Sequence, residues 1–144
     1  MTSTEIRAPN HRWLRAIGYG LLAEVATIVT IILVVMAYKY VFARGLSDPE
    51  YAALGQRAGG YIGVVGGAIY IYIFARWLMP GLSSRFSEHG MVVALAAIAL
   101  SIAGSIAGHQ GVPVASIAAS ILKIVAGATA AFVYSRSVAV NRMV

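Results

Sequence analysis

The 144-residue chain contains no cysteine, and only 11% of its residues are charged. Without cysteine it forms no disulfide bond, no thiolate metal site and no cysteine nucleophile. A soluble domain carries about 25% charged residues, whereas this chain is 60% hydrophobic, with a mean hydropathy of +0.80. These values are typical of an integral membrane protein, and the length suits one compact domain.

The sequence also lacks the residue combinations of common catalytic and metal sites. Its histidines, His11, His89 and His109, stand in three different segments, and none has the two-histidine spacing of a zinc protease helix. There is no Gly-x-Ser-x-Gly motif and no Gly-Lys-Ser/Thr phosphate loop. We therefore predict that the protein is not an enzyme and has no metal or cofactor site.

The net charge of +6 does not indicate a nucleic-acid partner, because the basic residues are scattered around apolar segments. Basic residues in such positions mark the cytoplasmic ends of membrane helices and contact anionic lipid headgroups. We therefore expect the lipid bilayer as the partner of this charge, and no nucleic acid.

Four apolar segments are long enough to cross a bilayer. Trp13 and Arg15 stand at the start of the first segment, and Tyr38-Lys39-Tyr40 ends it, as interfacial anchors do. Ser47-Asp48-Pro49-Glu50 is typical of a helix start, and Pro80-Gly81 stops the same helix. The sequence predicts an all-α, polytopic integral membrane protein, one domain of four transmembrane helices in an up-down bundle. The predicted spans are residues 14–42, 49–79, 90–107 and 113–135.

The distribution of lysine and arginine predicts the orientation. We expect a multi-pass protein of the inner or plasma membrane with both termini in the cytoplasm. Seven basic residues then fall on the inner side (Arg7, Arg12, Arg15, Arg76, Arg85, Arg136 and Arg142) and three on the outer side (Lys39, Arg44 and Arg57).

Glycines recur at every fourth position from Gly55 to Gly67. On a helix this spacing places them on one face, as a groove without side chains. Within a bilayer such a groove lets a second helix backbone approach closely. We predict that the deep part, Gly59, Gly63 and Gly67, is a helix-packing groove of the glycine-zipper type. It would hold another helix of the same chain or the same groove of a second copy.

Two charged residues, Glu24 and Lys123, are predicted near the bilayer midplane. Each lies about 15 Å along its helix from one membrane surface, at 1.5 Å per residue. An isolated charge there costs about 2.5–3.5 kcal/mol, so the simplest arrangement is an intramembrane pair. The pair would be either a structural tie that fixes helix register or a protonatable carboxylate with its counter-ion. A third possibility is an unpaired site that a partner subunit fills.

The run Leu22-Ala23-Glu24-Val25 resembles the first helix of the small multidrug resistance transporters, which also have four spans and a membrane-embedded glutamate. The resemblance covers four residues and implies proton-coupled transport. This chain departs from that family in its greater length, in Lys123, and in a third span, Met91–Ala107, without aromatic residues.

Two classes of function follow from the sequence. The first is a structural or binding bundle that associates with itself or with another membrane protein, with Glu24 and Lys123 as an internal tie. The second is a small oligomeric transporter or channel, linked to protons or cations, that uses Glu24 with Lys123 as its counter-ion. The first ranks slightly higher, because every residue singled out has an adequate structural explanation.

Overall fold

The computed structural model describes residues 10–42, 45–82, 84–108 and 114–141. Within these ranges 94% of the residues are helical and none is in a strand. Four helical segments are long and apolar enough to cross a membrane, which confirms the predicted all-α four-helix bundle. Residues 1–9 of the tail expected at 1–12, residues 142–144 of the tail expected at 137–144, and residues 109–113 of the turn expected at 108–113 lie outside the described residues.

The first span is α1 (Asn10–Ala37), which ends in a π-helical turn (Tyr38–Phe42). The second span consists of α2 (Asp48–Tyr61), a π-helical turn (Ile62–Gly66) and α3 (Gly67–Leu78), followed by a short 3₁₀ turn (Met79–Gly81). The third span is α4 (Phe86–Ala107) and the fourth is α5 (Val114–Asn141). The third span therefore begins before the predicted residue 90, and the fourth continues past the predicted residue 135.

The second span starts where the sequence indicated. Ser47 is the residue before α2, and the carboxylate of Glu50 accepts bonds from the Ser47 backbone nitrogen at 2.7 Å and from its hydroxyl at 2.8 Å. Pro49 occupies the first turn, where a backbone N–H has no partner within the helix, so proline costs no hydrogen bond there. The prediction did not include the interruption at Ile62–Gly66, where the Gly67 N–H donates to the carbonyl of Ile62, five residues earlier. Such π-helical turns often occur at functional sites.

The spans pack in a cycle. α1 lies beside α3 and α4, and α5 also lies beside α3 and α4. α1 and α5 are therefore diagonal neighbours, and a side chain that joins them has to cross the bundle axis.

Packing divides the bundle into two halves. The closed half comprises residues 12–27, 67–82, 85–97 and 123–140, and the open half comprises residues 28–41, 48–66, 98–108 and 116–122. All buried apolar side chains lie in the closed half, among them Ile71, Met79 and Val93. No residue described in the open half is buried.

Aromatic and basic residues join the helices at the end of the closed half. Trp13 of α1 stacks on His89 of α4 with the ring centroids 4.2 Å apart. Tyr134 of α5 contacts Phe86 at 5.2 Å and lies under the guanidinium of Arg76 at 4.7 Å. The beginnings of α1 and α4 therefore lie at the same end as the ends of α3 and α5, as an up-down bundle requires.

Candidate functional site

The two intramembrane charges meet at the centre of the bundle. Nζ of Lys123 donates to Oε2 of Glu24 at 2.5 Å. Only 4% of the lysine side chain and 8% of the glutamate side chain are exposed. Because Glu24 is on α1 and Lys123 is on α5, the ion pair spans the diagonal and lies where the closed and open halves meet.

Close helix contacts bring Glu24 toward the axis. A methyl group added at Gly20, one turn before Glu24, would overlap the backbone oxygen of Val93, so this glycine lets α1 approach α4. Thr27, one turn after Glu24, is 2% exposed and donates its hydroxyl to the carbonyl of Ala23 at 2.9 Å. The hydroxyl is therefore satisfied within α1, and the face Gly20–Glu24–Thr27 points inward.

Glycines also set the helix contacts next to Lys123. On α5, a methyl group at Gly127 would overlap the backbone oxygen of Gly90, so that α4 and α5 touch through their main chains. On α3, a methyl carbon at Gly67 would lie 2.9 Å from Cε of Lys123 and 3.8 Å from Oγ1 of Thr27. The lysine stem therefore occupies the space that a side chain at position 67 would fill.

Each charged group keeps hydrogen-bonding capacity beyond the pair. A carboxylate offers two oxygens and an ammonium group three N–H donors. Within the described chain the only hydrogen bond of either group is the one between Glu24 Oε2 and Lys123 Nζ. The second carboxylate oxygen and two ammonium donors are therefore available to a further partner.

A cavity of about 400 Å³ reaches this pair from the open half. All four spans contribute to its wall, and we call it the vestibule. Apart from Glu24 and Lys123, every lining side chain in the described part of the chain is uncharged. The lining residues are Glu24, Thr27, Ile28, Ile31, Gly59, Gly60, Gly63, Val64, Leu100, Ser101, Gly104, Ser105, Gly108, Ser116, Ala119 and Lys123.

Serine hydroxyls make part of the wall polar. Ser101, Ser105 and Ser116 line the vestibule, and Ser105 donates to the carbonyl of Ser101 at 3.1 Å. A hydroxyl that donates to its own helix keeps its lone pairs as acceptors. The vestibule therefore presents hydrogen-bond acceptors on α4, together with the charges at its floor.

The three glycines of the predicted groove fall into two different environments. Gly67 is buried and makes room for Lys123, whereas Gly59 and Gly63 line the vestibule, with no described atom within 4 Å of an added methyl carbon. Within this chain, the described helices leave the groove empty at Gly59 and Gly63. Occupation of these two positions by a second copy stays a prediction.

Three tyrosines of the second span do not line the vestibule. Tyr61 is 79% exposed on the outside of the bundle. The hydroxyl of Tyr70 is 2.8 Å from that of Thr30, which ties α3 to α1. Tyr72 packs against the buried core.

Sequence reasoning did not single out His89 as a buried residue. It lies in the first turn of α4, is 5% exposed, and contacts the carbonyl of Arg85 through Nδ1 at 2.9 Å. Because a carbonyl only accepts, Nδ1 carries the proton in this contact. Nε2 is buried without a partner among the described residues. His89 does not line the vestibule, and no three metal-ligating side chains converge anywhere in the described ranges.

Comparisons of the chain with known protein families, with curated proteins and with solved structures found no match. The resemblance to the small multidrug resistance transporters therefore rests on the four residues Leu22–Val25 alone.

Proposed function

We propose that the protein is a small membrane transporter that admits a polar solute or ion to Glu24 and Lys123 through the vestibule. One observation carries this proposal. A cavity lined by all four spans ends on the buried ion pair, while the other half of the bundle is packed. This arrangement supports an intramembrane binding site that is open to one side.

The placement of the charges supports the proposal. Ionisable residues within a membrane are costly, and they typically mark substrate pathways or proton relays. An ion pair that only fixed the helix register could lie among packed side chains, without a cavity beside it. Here the pair is at the floor of a cavity, where Glu24 retains an oxygen without a partner in the described chain. The carboxylate is the group that we propose takes up and releases a proton or the positively charged group of a solute.

The packing of the closed half supports a conformational step. Passage to the other side requires α4 to move away from α1 and α5, because Gly20 and Gly127 hold these backbones in contact. A solute that replaced the contact between Glu24 and Lys123 would weaken the ion pair that joins α1 to α5. We propose that this exchange couples binding to opening of the closed half.

The experiment is flux through liposomes that contain the full chain, with a pH gradient and with candidate cations and small polar solutes supplied on one side. We expect movement of protons or of one of the supplied solutes above that of protein-free liposomes. Gly63→Leu adds a side chain to the vestibule, where an added methyl carbon meets no described atom within 4 Å, and should reduce the flux at least about tenfold, a change of about 1.4 kcal/mol in barrier. Gly18→Leu is the matched control, because Gly18 has no described atom within 4 Å of an added methyl carbon and does not line the vestibule. Folded protein that moves no proton, cation or solute would overturn the proposal.

The second candidate is a structural or binding bundle that uses the open half to associate with a second copy or with another membrane protein. The empty space beside Gly59 and Gly63 favours it, since helix association in membranes uses small residues that let backbones approach. Native mass measurement and cross-linking in a mild detergent test the homomeric form. A dimer that Gly63→Leu converts to monomer supports this candidate, and a wild-type protein that is purely monomeric removes the homomeric form.

We also propose that the protein lies in the inner or plasma membrane and that both of its termini are in the cytoplasm. Arg12, Arg15, Arg76, Arg85 and Arg136 all belong to the closed half, and the prevalence of basic residues on the inner side supports this orientation. The vestibule would then open away from the cytoplasm. A reporter fused to the C-terminus that appeared on the outer side would reverse the orientation.

A further inference from the structure

The floor of the vestibule carries two charges of opposite sign and no net charge. Among the residues that the structure describes, Glu24 and Lys123 are the only ones with ionisable side chains that line it. A solute that arrives at the floor therefore meets a carboxylate oxygen and an ammonium group side by side, within walls of glycine, alanine, serine and aliphatic residues.

A solute with a single charge fits this floor poorly. A cation that draws Glu24 away leaves Lys123 buried without a counter-charge, and an anion that draws Lys123 away leaves Glu24 in the same condition. Breaking a buried pair by withdrawing one partner is strongly unfavourable, because the remaining charge is uncompensated. The solute that avoids this penalty carries both signs.

We propose that the vestibule binds small zwitterions of the α-amino-acid type, with the solute ammonium group on Glu24 and the solute carboxylate on Lys123. This inference rests on the proposed transport function and names its substrate class. In an α-amino acid the two charged groups are attached to one carbon atom, so they match a pair whose charged atoms are 2.5 Å apart. The four charges then alternate in sign around a closed ring, and no charge is left alone.

The dimensions of the vestibule agree with a small solute. Its volume of about 400 Å³ lies at the lower end of the range of about 300–1,000 Å³ that is typical of small-molecule sites. The hydroxyl of Ser105 and the glycine faces of the second span and of α4 leave room for a short side chain. Ile31 and Leu100, which also line the wall, make that part of it apolar.

The test uses the full chain in lipid nanodiscs and three matched probes at pH 7. L-alanine carries both charges, ethylamine lacks the carboxylate, and propionate lacks the ammonium group. We expect L-alanine to bind at least about tenfold more tightly than either singly charged probe in isothermal titration. Equal or tighter binding of ethylamine or propionate would overturn the inference.

Three variants separate a specific site from other effects. Gly63→Leu should abolish L-alanine binding, and Gly18→Leu should preserve it. The double variant Glu24→Gln/Lys123→Met removes both charges together and should abolish the preference for L-alanine over ethylamine and propionate. A preference that survives in the double variant would place the zwitterion site elsewhere and overturn the inference.

Flux distinguishes failure of this inference from failure of the transport proposal. Liposomes that move ethylamine or another cation, but neither bind nor move L-alanine, would overturn the zwitterion assignment and leave transport standing. Liposomes that move none of the solutes, with no binding in nanodiscs, would overturn both. Movement of L-alanine that Gly63→Leu blocks would support both.

Discussion

Glu24 and Lys123 form their ion pair across the diagonal of the bundle, with Oε2 and Nζ 2.5 Å apart. The helices that carry them, α1 and α5, are separated by α3 and α4, which pack against both. The pair is therefore the main polar tie along this diagonal within the described residues. It also marks the depth at which tight packing ends and the vestibule begins.

The first prediction concerns the coupling between the two charges. Glu24→Gln and Lys123→Met each leave one charge buried and unpaired, which we expect to lower the free energy of unfolding by about 3–5 kcal/mol. The double variant removes both charges and should be less destabilised than either single variant. The measurement is reversible unfolding in mixed micelles, analysed as a double-mutant cycle.

The matched control for this cycle is Thr30→Val combined with Tyr70→Phe, which removes a hydroxyl contact between α1 and α3 without changing charge. That cycle should show a coupling of about 1 kcal/mol or less. Additive effects of Glu24→Gln and Lys123→Met would contradict direct pairing in the membrane.

The second prediction concerns the space that Gly67 gives to Lys123. Gly67→Ala places a methyl carbon 2.9 Å from Cε of the lysine, and the lysine moves with difficulty because Glu24 holds its amine. We expect a loss of about 1–3 kcal/mol in the free energy of unfolding, as for other overpacked sites. Gly63→Ala meets no described atom within 4 Å and should be neutral, or stabilising by up to about 1 kcal/mol through helix propensity. Equal effects at the two positions would contradict the distinction between them.

The third prediction concerns the backbone contact between α4 and α5. A methyl group at Gly90 or Gly127 would overlap the main-chain oxygen of the opposite glycine. Because neither backbone can yield without separating the helices, we expect Gly90→Ala and Gly127→Ala each to destabilise the bundle by more than about 3 kcal/mol. Gly104→Ala is the control on α4, where an added methyl carbon meets no described atom within 4 Å. Thermal denaturation in detergent compares the three variants, and a melting temperature for Gly90→Ala equal to that for Gly104→Ala would refute the close contact.

The fourth prediction concerns the start of α4. Arg85, the residue before the helix, adopts a left-handed conformation with φ 59°, which costs a non-glycine residue roughly 1–2 kcal/mol. Its side chain is exposed, and the ion pair with Glu88, 3.7 Å long, contributes about 0–1 kcal/mol. Arg85→Gly should therefore raise the melting temperature slightly, whereas Arg85→Ala, which keeps the unfavourable φ, should not. A lower melting temperature for the glycine variant than for the alanine variant would contradict this account.

Hydrophobic runs and end signals predicted the fold well, because a bilayer allows few alternatives to a bundle of apolar helices. The start at Ser47 and the inward faces of Glu24 and Lys123 followed from local chemistry and from depth along each helix. The position of each charge along its helix predicted that both lie at one depth, and the structure brings them into contact.

The vestibule did not follow from the sequence. Gly59 and Gly63 predict close helix packing, yet the structure places them, with Ser101, Gly104 and Ser105 of α4, around a cavity. Periodicity gives the face on which a residue lies, but the separation between two such faces depends on how the whole bundle closes. Here backbone contacts at Gly20 and Gly127 close one half only, and neither contact is visible from the sequence of a single helix. The π-helical turn at Ile62–Gly66 and the burial of His89 depend on the same tertiary packing.

The fifth prediction tests whether water reaches the vestibule in a membrane. Because the chain contains no cysteine, a single introduced cysteine is the only target for a thiol reagent. Ser105→Cys lies in the wall of the vestibule, whereas Ala97→Cys on the same helix is fully buried in the closed half. Methanethiosulfonate reagents require the ionised thiol and therefore label sites exposed to water. In intact vesicles we expect rapid labelling of Ser105→Cys from one side only, and at least about a hundredfold slower labelling of Ala97→Cys, since closed local structure protects buried groups from reaction.

Adding Gly63→Leu to Ser105→Cys should slow labelling by filling the same space. Labelling of Ser105→Cys at the rate of Ala97→Cys would show that lipid or a partner helix occupies the vestibule, and would favour the structural bundle over the transporter.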